Sequence, residues 1–463
     1  MPHKNTSFRL ASIVTVACLT YIPIPLAYAQ QATDAVAPET GNTQRIGLSQ
    51  SITSDNWMIA AANPLAVQAG ADVLRRGGNA IDAMVTVQTM LGLVEPQSSG
   101  LGGGAFLVYY DANSEKLTTL DGRETAPENA TPTLFQDENG EPLDAVVGGR
   151  SVGTPGTPAL MKSAHEKWGQ LPWSGLLAPA IKTATNGFSV SPRLAELIAS
   201  DQEKLSRDPV AKSYFFDKDG APLPVGTVLK NPQYATTLKD LAENGITDFY
   251  TGQIAKDIVA KVTGANWNPG VLSLSDLTRY HVKERAAVCA TYRAYDVCGM
   301  GPPSSGALTV GQTLGLLEPY DIASLGPNSA ESWRLIGDAS RLAFADRGRY
   351  MADVDFVPMP LTGLLDADYL ADRSEQLNRD KALEDVAPGT PAFSHAMNLS
   401  DDDAIEFPST SHFSIVDAYG NVDELDHRLG YVADSLYFKA GAYNQCSTKE
   451  TSGTTWYAGC AGT

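Results

Sequence analysis

From His412 onward the run Thr410-Ser411-His412-Phe413-Ser414-Ile415-Val416 alternates polar and apolar residues with the period of a strand. Pro408-Ser409 precedes it, and Asp417 and Gly420-Asn421 follow closely. A strand beginning here carries a hydroxyl residue at its edge and puts positions 410 and 412 on one face. The stretch before it, 389–408, is rich in Pro, Ser and Asp and reads as a loop-like connector that suits a cleavage site at its end. On local grounds alone, Thr410 is the β-branched residue that strands favour. What gives it chemical weight lies upstream.

Two upstream stretches stand in a fixed order with it. One is Val94-Glu95-Pro96-Gln97-Ser98-Ser99-Gly100-Leu101-Gly102-Gly103-Gly104, the other Leu120-Asp121-Gly122-Arg123-Glu124-Thr125-Ala126-Pro127. The three together resemble the γ-glutamyltranspeptidase family, self-cleaving amidohydrolases whose new N-terminal threonine is the catalyst. The resemblance runs from about Trp57 to Asn421. It implies an α+β fold, an αββα sandwich of the N-terminal-nucleophile hydrolase type, incomplete at its C-terminal end. It also implies a large subunit over 30–409 and a small one beginning at Thr410, both cut from one precursor. The implied substrates are glutathione and other γ-glutamyl compounds, with water, amino acids or peptides as acceptors, and no cofactor. A cephalosporin or glutaryl acylase of the same fold is the close alternative. A non-catalytic secreted scaffold is the alternative of a different class.

The chemistry of the residues fits this resemblance. A threonine hydroxyl is a weak nucleophile until something takes its proton. Cutting the Ser409–Thr410 bond frees an α-amine of pKa about 7.7–8.0, a base beside its own hydroxyl near neutral pH. No G-x-S-x-G elbow is present. The family assigns the base to the amine, which leaves His412 a structural or supporting role. Arg123 follows a strand; a guanidinium grips a carboxylate through two parallel hydrogen bonds. The family's matching arginine binds the donor α-carboxylate, so Arg123 is the expected substrate-binding residue rather than a surface partner of Glu124. Gly102-Gly103-Gly104 lacks the following Lys-Ser or Lys-Thr of a phosphate loop and is read as close backbone packing. Ser98 and Ser99 are read as structural. Gly301-Pro302-Pro303-Ser304-Ser305-Gly306 and Ala343-Phe344-Ala345-Asp346-Arg347 match further family segments and are expected to shape the core.

The 463 residues are 43% hydrophobic and 19% charged, a globular balance. The formal charge of -19 disfavours nucleic acid, whose phosphates call for clustered Lys and Arg. Lys4 and Arg9, the apolar run Leu10–Leu26 and Ala27-Tyr28-Ala29 read as a signal peptide over 1–29. Export to the periplasm or medium is expected, with no membrane attachment after its removal. Cys289 and Cys298 flank a strand-turn-strand pattern and form either a disulfide or two buried thiols. No Cys or His pair stands at zinc spacing, so no metal is expected. Helices are expected over 65–74, 80–93, 151–198, 236–241, 252–263, 307–317, 332–347 and 369–377. Strands are expected over 105–110 and 286–299 and at the C-terminal end, and 31–55 reads as a polar leader.

The resemblance stops abruptly after Asn421. Val422-Asp423-Glu424-Leu425-Asp426-His427-Arg428 is charged where the family has apolar residues and threonines. The family's later donor-binding residues and Gly-Gly oxyanion hole are not recognisable in 422–463. Removing one nucleotide after the Val422 codon lets the reverse translation read Val-Met-Ser-Leu-Thr-Thr, which resembles the family strand. A lost reading frame, true divergence and deliberate truncation each account for this tail. The first is the reading taken, and a chain with this tail is expected to be inactive.

Overall fold

The computed structural model describes residues 53–144, 147–395, 399–401 and 410–428. The leader 1–29, the Ser409 side of the 409–410 bond, and Cys446 and Cys460 lie outside them. Ten strands run in chain order: β1 (Met58–Ala61), β2 (Gly104–Asp111), β3 (Lys116–Gly122), β4 (Phe188–Ser189), β5 (Val228–Leu229), β6 (Lys283–Arg285), β7 (Val288–Tyr292), β8 (Tyr295–Gly299), β9 (Thr410–Val416) and β10 (Val422–Arg428). Six of them form one sheet in the order β1-β9-β10-β2-β3-β6, and every pair given a register is antiparallel.

Helices cover one face of this sheet. Helix α1 (Pro64–Arg75) starts at Asn63, whose side chain accepts the Leu65 N–H, with Pro at its first position. Helix α2 (Ala80–Val94) starts at a capping box in which Asn79 and Asp82 satisfy each other's backbone N–H groups. Every residue of α2 is buried, as its all-round apolar character predicts. Helices α3 (Thr157–Trp168) and α4 (Trp173–Asn186) pack over it. The expected single helical stretch 151–198 is therefore corrected: Gly169, Gly187 and the short β4 divide it into separate helices.

Register explains why the sheet has one dry face. Phe413, Leu425, Leu107 and Leu120 stand opposite one another across four strands, and all are essentially inaccessible. The alternate positions Thr410 and His412 point the other way and are exposed, as are Met58 (41%) and Val416 (39%) on the same sheet. Among the described residues this is a six-stranded sheet with a helix layer on one face, beside two small two-stranded sheets. The architecture is α+β.

A second region has its own small core. Leu316 and Leu317 of the helix Gly306–Leu317 pack on Leu335, Ala339 and Leu342 of the helix Ala330–Tyr350, and on Leu370 of the helix Ala367–Ser374. The hairpin β7–β8 lies against the first of these helices. Cys289 and Cys298 face each other across the hairpin and form a disulfide. No helix among the described residues is long and apolar enough to cross a membrane.

Candidate active site

Thr410 and Arg123 come from positions far apart in sequence, and the sheet brings them to one end. Thr410 pairs with position 428 of β10, position 428 pairs with Gly104 of β2, and Ala105 pairs with Gly122 of β3. Arg123, one step past Gly122, therefore falls in the row of Thr410. Three strand spacings separate the two backbones, about 14 Å. The Arg123 guanidinium lies over the Phe106 ring, 5.6 Å from its centroid. Phe106 is in register with Asp426, which is opposite His412, so it shares the outward face with Thr410. Arg123 and Thr410 thus stand on one face of the sheet, at one end.

Arg123 is 8% exposed, which corrects any picture of a surface arginine. Its Nε lies 3.9 Å from Glu124 Oε2, so the neighbouring carboxylate is present but buried with it. The backbone is fixed independently. The Arg123 N–H donates to Asp121 Oδ1 at 2.9 Å, and its carbonyl accepts the Tyr280 hydroxyl at 2.7 Å. Burial pushes the Tyr280 hydroxyl well up, so it stays a donor. Asp121 also receives Arg285 Nε at 2.8 Å, tying the β3 terminus to β6. Gly104 has a clear reason to lack a side chain: a Cβ there would lie 2.4 Å from Glu124 Oε2 and 2.6 Å from Glu124 N. The glycine run lets the Arg123 loop lie flat on β2.

Thr410 begins β9 with its side chain exposed. His412 Nε2 lies 3.1 Å from Ser414 Oγ, so its ring is engaged along the strand with Ser414. The Asp417 to Asn421 part of the motif is structural. Asp417 accepts N–H groups of Tyr419 and Asn421, the Asn421 amide and the N–H of Ala80 at the start of α2. A carboxylate there satisfies an orphan donor of the helix and favours its positive end. Ser98 and Ser99 are buried, and Ser99 accepts the Gln88 amide, as their structural reading expects. The two remaining motifs meet each other: Arg347 Nε donates to Ser305 Oγ at 3.0 Å. Asp346 is buried and pairs with Arg373, Gln312 and Tyr369. Asp401 is exposed and pairs with Arg349.

Sequence reasoning named Thr410 and Arg123 and missed Phe106, Asp121 and Tyr280 as the supports of Arg123, and Asp417 as the residue that ties the β9–β10 turn to α2. Asp121 and Asp417 lay inside the motifs. Tyr280 carries no local signal.

The family model of gamma-glutamyltranspeptidase matches residues 66–422, most of the described structure. The chain belongs to the γ-glutamyltranspeptidase family. A glutathione hydrolase proenzyme of Bacillus subtilis (strain 168) is 37% identical over 374 residues, 79% of this chain and 63% of the relative. That of Escherichia coli (strain K12) is 35% identical over 383 residues, 82% of this chain and 63% of the relative. An acylase ACY 1 proenzyme of Pseudomonas sp. (strain V22) is 33% identical over 378 residues, 80% and 64% of the two chains. The Helicobacter pylori γ-glutamyltranspeptidase structure superposes with a TM-score of 0.71 at 33% identity, over 75% of this chain and all of that one. A cephalosporin acylase from Bacillus halodurans gives 0.72 at 26% identity, over 87% and 72%. The fold is that of these N-terminal-nucleophile hydrolases. The chain spans 63% of the length of the two glutathione hydrolase proenzymes.

Proposed function

We propose that this chain encodes a γ-glutamyltransferase and glutathione hydrolase precursor, cut before Thr410. The observation that carries the reading is the shared row and face of Thr410 and Arg123. A γ-glutamyl donor carries a free α-carboxylate at one end and the reacting carbonyl at the other. Arg123 grips the carboxylate through paired charge-assisted hydrogen bonds. The Thr410 oxygen attacks the γ-carbonyl while its own α-amine takes the hydroxyl proton. Collapse of the tetrahedral intermediate expels the donor's amine, which leaves with that proton, and a γ-glutamyl ester remains on Thr410. Water then releases glutamate, or an acceptor amine takes the γ-glutamyl group.

The residues after Val422 we read as out of frame. Supporting this, Asp423 is fully buried with both carboxylate oxygens lacking a hydrogen-bond partner, between Ile415 and Tyr109. The shifted frame allows Met or Thr at 423, Ser or Asn at 424 and Leu, Ser or Trp at 425, so Met-Ser-Leu lies within the set. That order suits the buried, exposed, buried sequence of these three positions. The family's oxyanion donors are not recognisable in 422–463, and each such donor contributes about 3–4 kcal/mol. The chain as written is accordingly inactive, and a frame-restored chain is the enzyme.

A second reading, an acylase, has support in the acylase relative and the cephalosporin acylase fold match. Its donor also presents a carboxylate to Arg123. Side-by-side assay of a frame-restored chain separates the two: γ-glutamyl-p-nitroanilide is turned over and glutaryl-7-aminocephalosporanic acid is not. The reverse preference assigns the acylase. Export is part of the proposal, with removal of 1–29, and a disulfide in the fold suits an oxidising compartment. Terminal sequencing of periplasmic material then starts near Gln30; cytoplasmic chain retaining Met1 contradicts it.

A further inference from the structure

The Cys289–Cys298 disulfide stands apart from the Thr410 site and has no role in the reaction above. Its two residues differ in exposure: Cys289 is exposed and Cys298 half-buried. The bridge spans a sequence separation of only 9 and joins residues already directly opposed in the β7–β8 ladder. A bridge over so short a loop removes less chain entropy than a long one. The hairpin does not depend on it alone. Five residue pairs hold the ladder, from Val288 with Gly299 to Tyr292 with Tyr295. Ala290 seats against Gly311 of the helix Gly306–Leu317, where an added Cβ would meet it at 2.8 Å. Opening the bridge therefore leaves the strands paired and packed. Exposed disulfides of this kind are the ones open to exchange, because a thiolate must reach a sulfur along the bond axis.

We propose that Cys289 is a site of mixed-disulfide formation with small thiol peptides, glutathione above all. The thiolate attacks Cys289 Sγ, forming a new S–S bond as the Cys289–Cys298 bond breaks. The electron pair leaves on Cys298 Sγ, which takes a proton from water. One disulfide is exchanged for another, so no outside oxidant or reductant is required. The choice of thiol rests on the γ-glutamyl reading, since glutathione and the cysteinylglycine released from it are the thiols this protein would meet. The half-buried Cys298 is the leaving sulfur and the poorer target.

The full chain is incubated with millimolar reduced glutathione, cysteinylglycine or S-methylglutathione, acid-quenched and mapped by peptide mass spectrometry. The two thiols give a Cys289 adduct with a free Cys298 thiol, and S-methylglutathione, which has no thiol, gives none. Cys289 carries severalfold more adduct than Cys298. Two variants check the assignment under oxidised glutathione: Cys298→Ser takes up glutathione at Cys289, and Cys289→Ser is modified severalfold more slowly. An intact bridge in both thiols, or equal modification of the two variants, overturns the proposal. Hydrolysis of γ-glutamyl-p-nitroanilide by a frame-restored chain is read separately. If it fails while both thiols still modify Cys289, the γ-glutamyl reading falls and the exchange site stands.

Discussion

Arg123 is fixed through its backbone on both sides, by Asp121 at its N–H and Tyr280 at its carbonyl, while Phe106 supports the guanidinium. Such a clamp fixes where the two parallel donors point. In a frame-restored enzyme, Arg123→Lys keeps the charge and loses the fork. Loss of charged hydrogen bonds is worth about 1.5–3 kcal/mol, so the KM for glutathione rises roughly ten- to hundredfold with a smaller change in kcat. An unchanged KM removes Arg123 from the donor site. Thr410 and Arg123 were legible because each sits in a short run of distinctive neighbours. Tyr280 was not, since its hydroxyl reaches Arg123 across 157 positions of sequence. Only folding makes that pair adjacent.

The elements most readable in sequence were those whose pattern is self-contained. Helices α1 and α2 and strand β2 fall within a residue or two of expectation, because periodicity and caps mark them locally. β1 was overlooked. It is a four-residue strand whose one sheet neighbour among the described residues is β9, so nothing near it in sequence announces it. β10 is the opposite case: a charged segment drawn into the middle of a sheet. Burial pushes the Asp423 carboxyl well above its ordinary value of 3.8, and the neighbouring Glu424 adds to the shift. A raised pKa in the folded state means the group favours folding least when the unfolded chain would ionise. Its contribution is fully present below pH 3.8 and is lost as pH rises through the folded-state value. Asp423→Met therefore raises the unfolding temperature, by little in acid and increasingly toward neutral pH. A gain that is flat with pH, or absent, contradicts the buried carboxylate. Sequencing of the gene around the Val422 codon checks the frame itself, and an intact frame there overturns that reading.

The molecule as described is a helix-covered sheet with an open outer face, beside a smaller helical region built around Asp346. The open face holds Thr410 at one end. A precursor of this form explains why one threonine serves twice. In the maturation we propose, its hydroxyl attacks the Ser409 carbonyl, and an N-to-O acyl shift and hydrolysis then free the amine that would serve as base. The whole account therefore turns on Thr410, and the most direct measurement is the chain pattern of a frame-restored precursor on a denaturing gel, with terminal sequencing of the smaller product. Two chains are expected, the smaller beginning at Thr410, with Thr410→Ser processed in part. Thr410→Ala, which has no hydroxyl, stays one inactive chain. A Thr410→Ala precursor that still matures and still hydrolyses γ-glutamyl-p-nitroanilide contradicts the account.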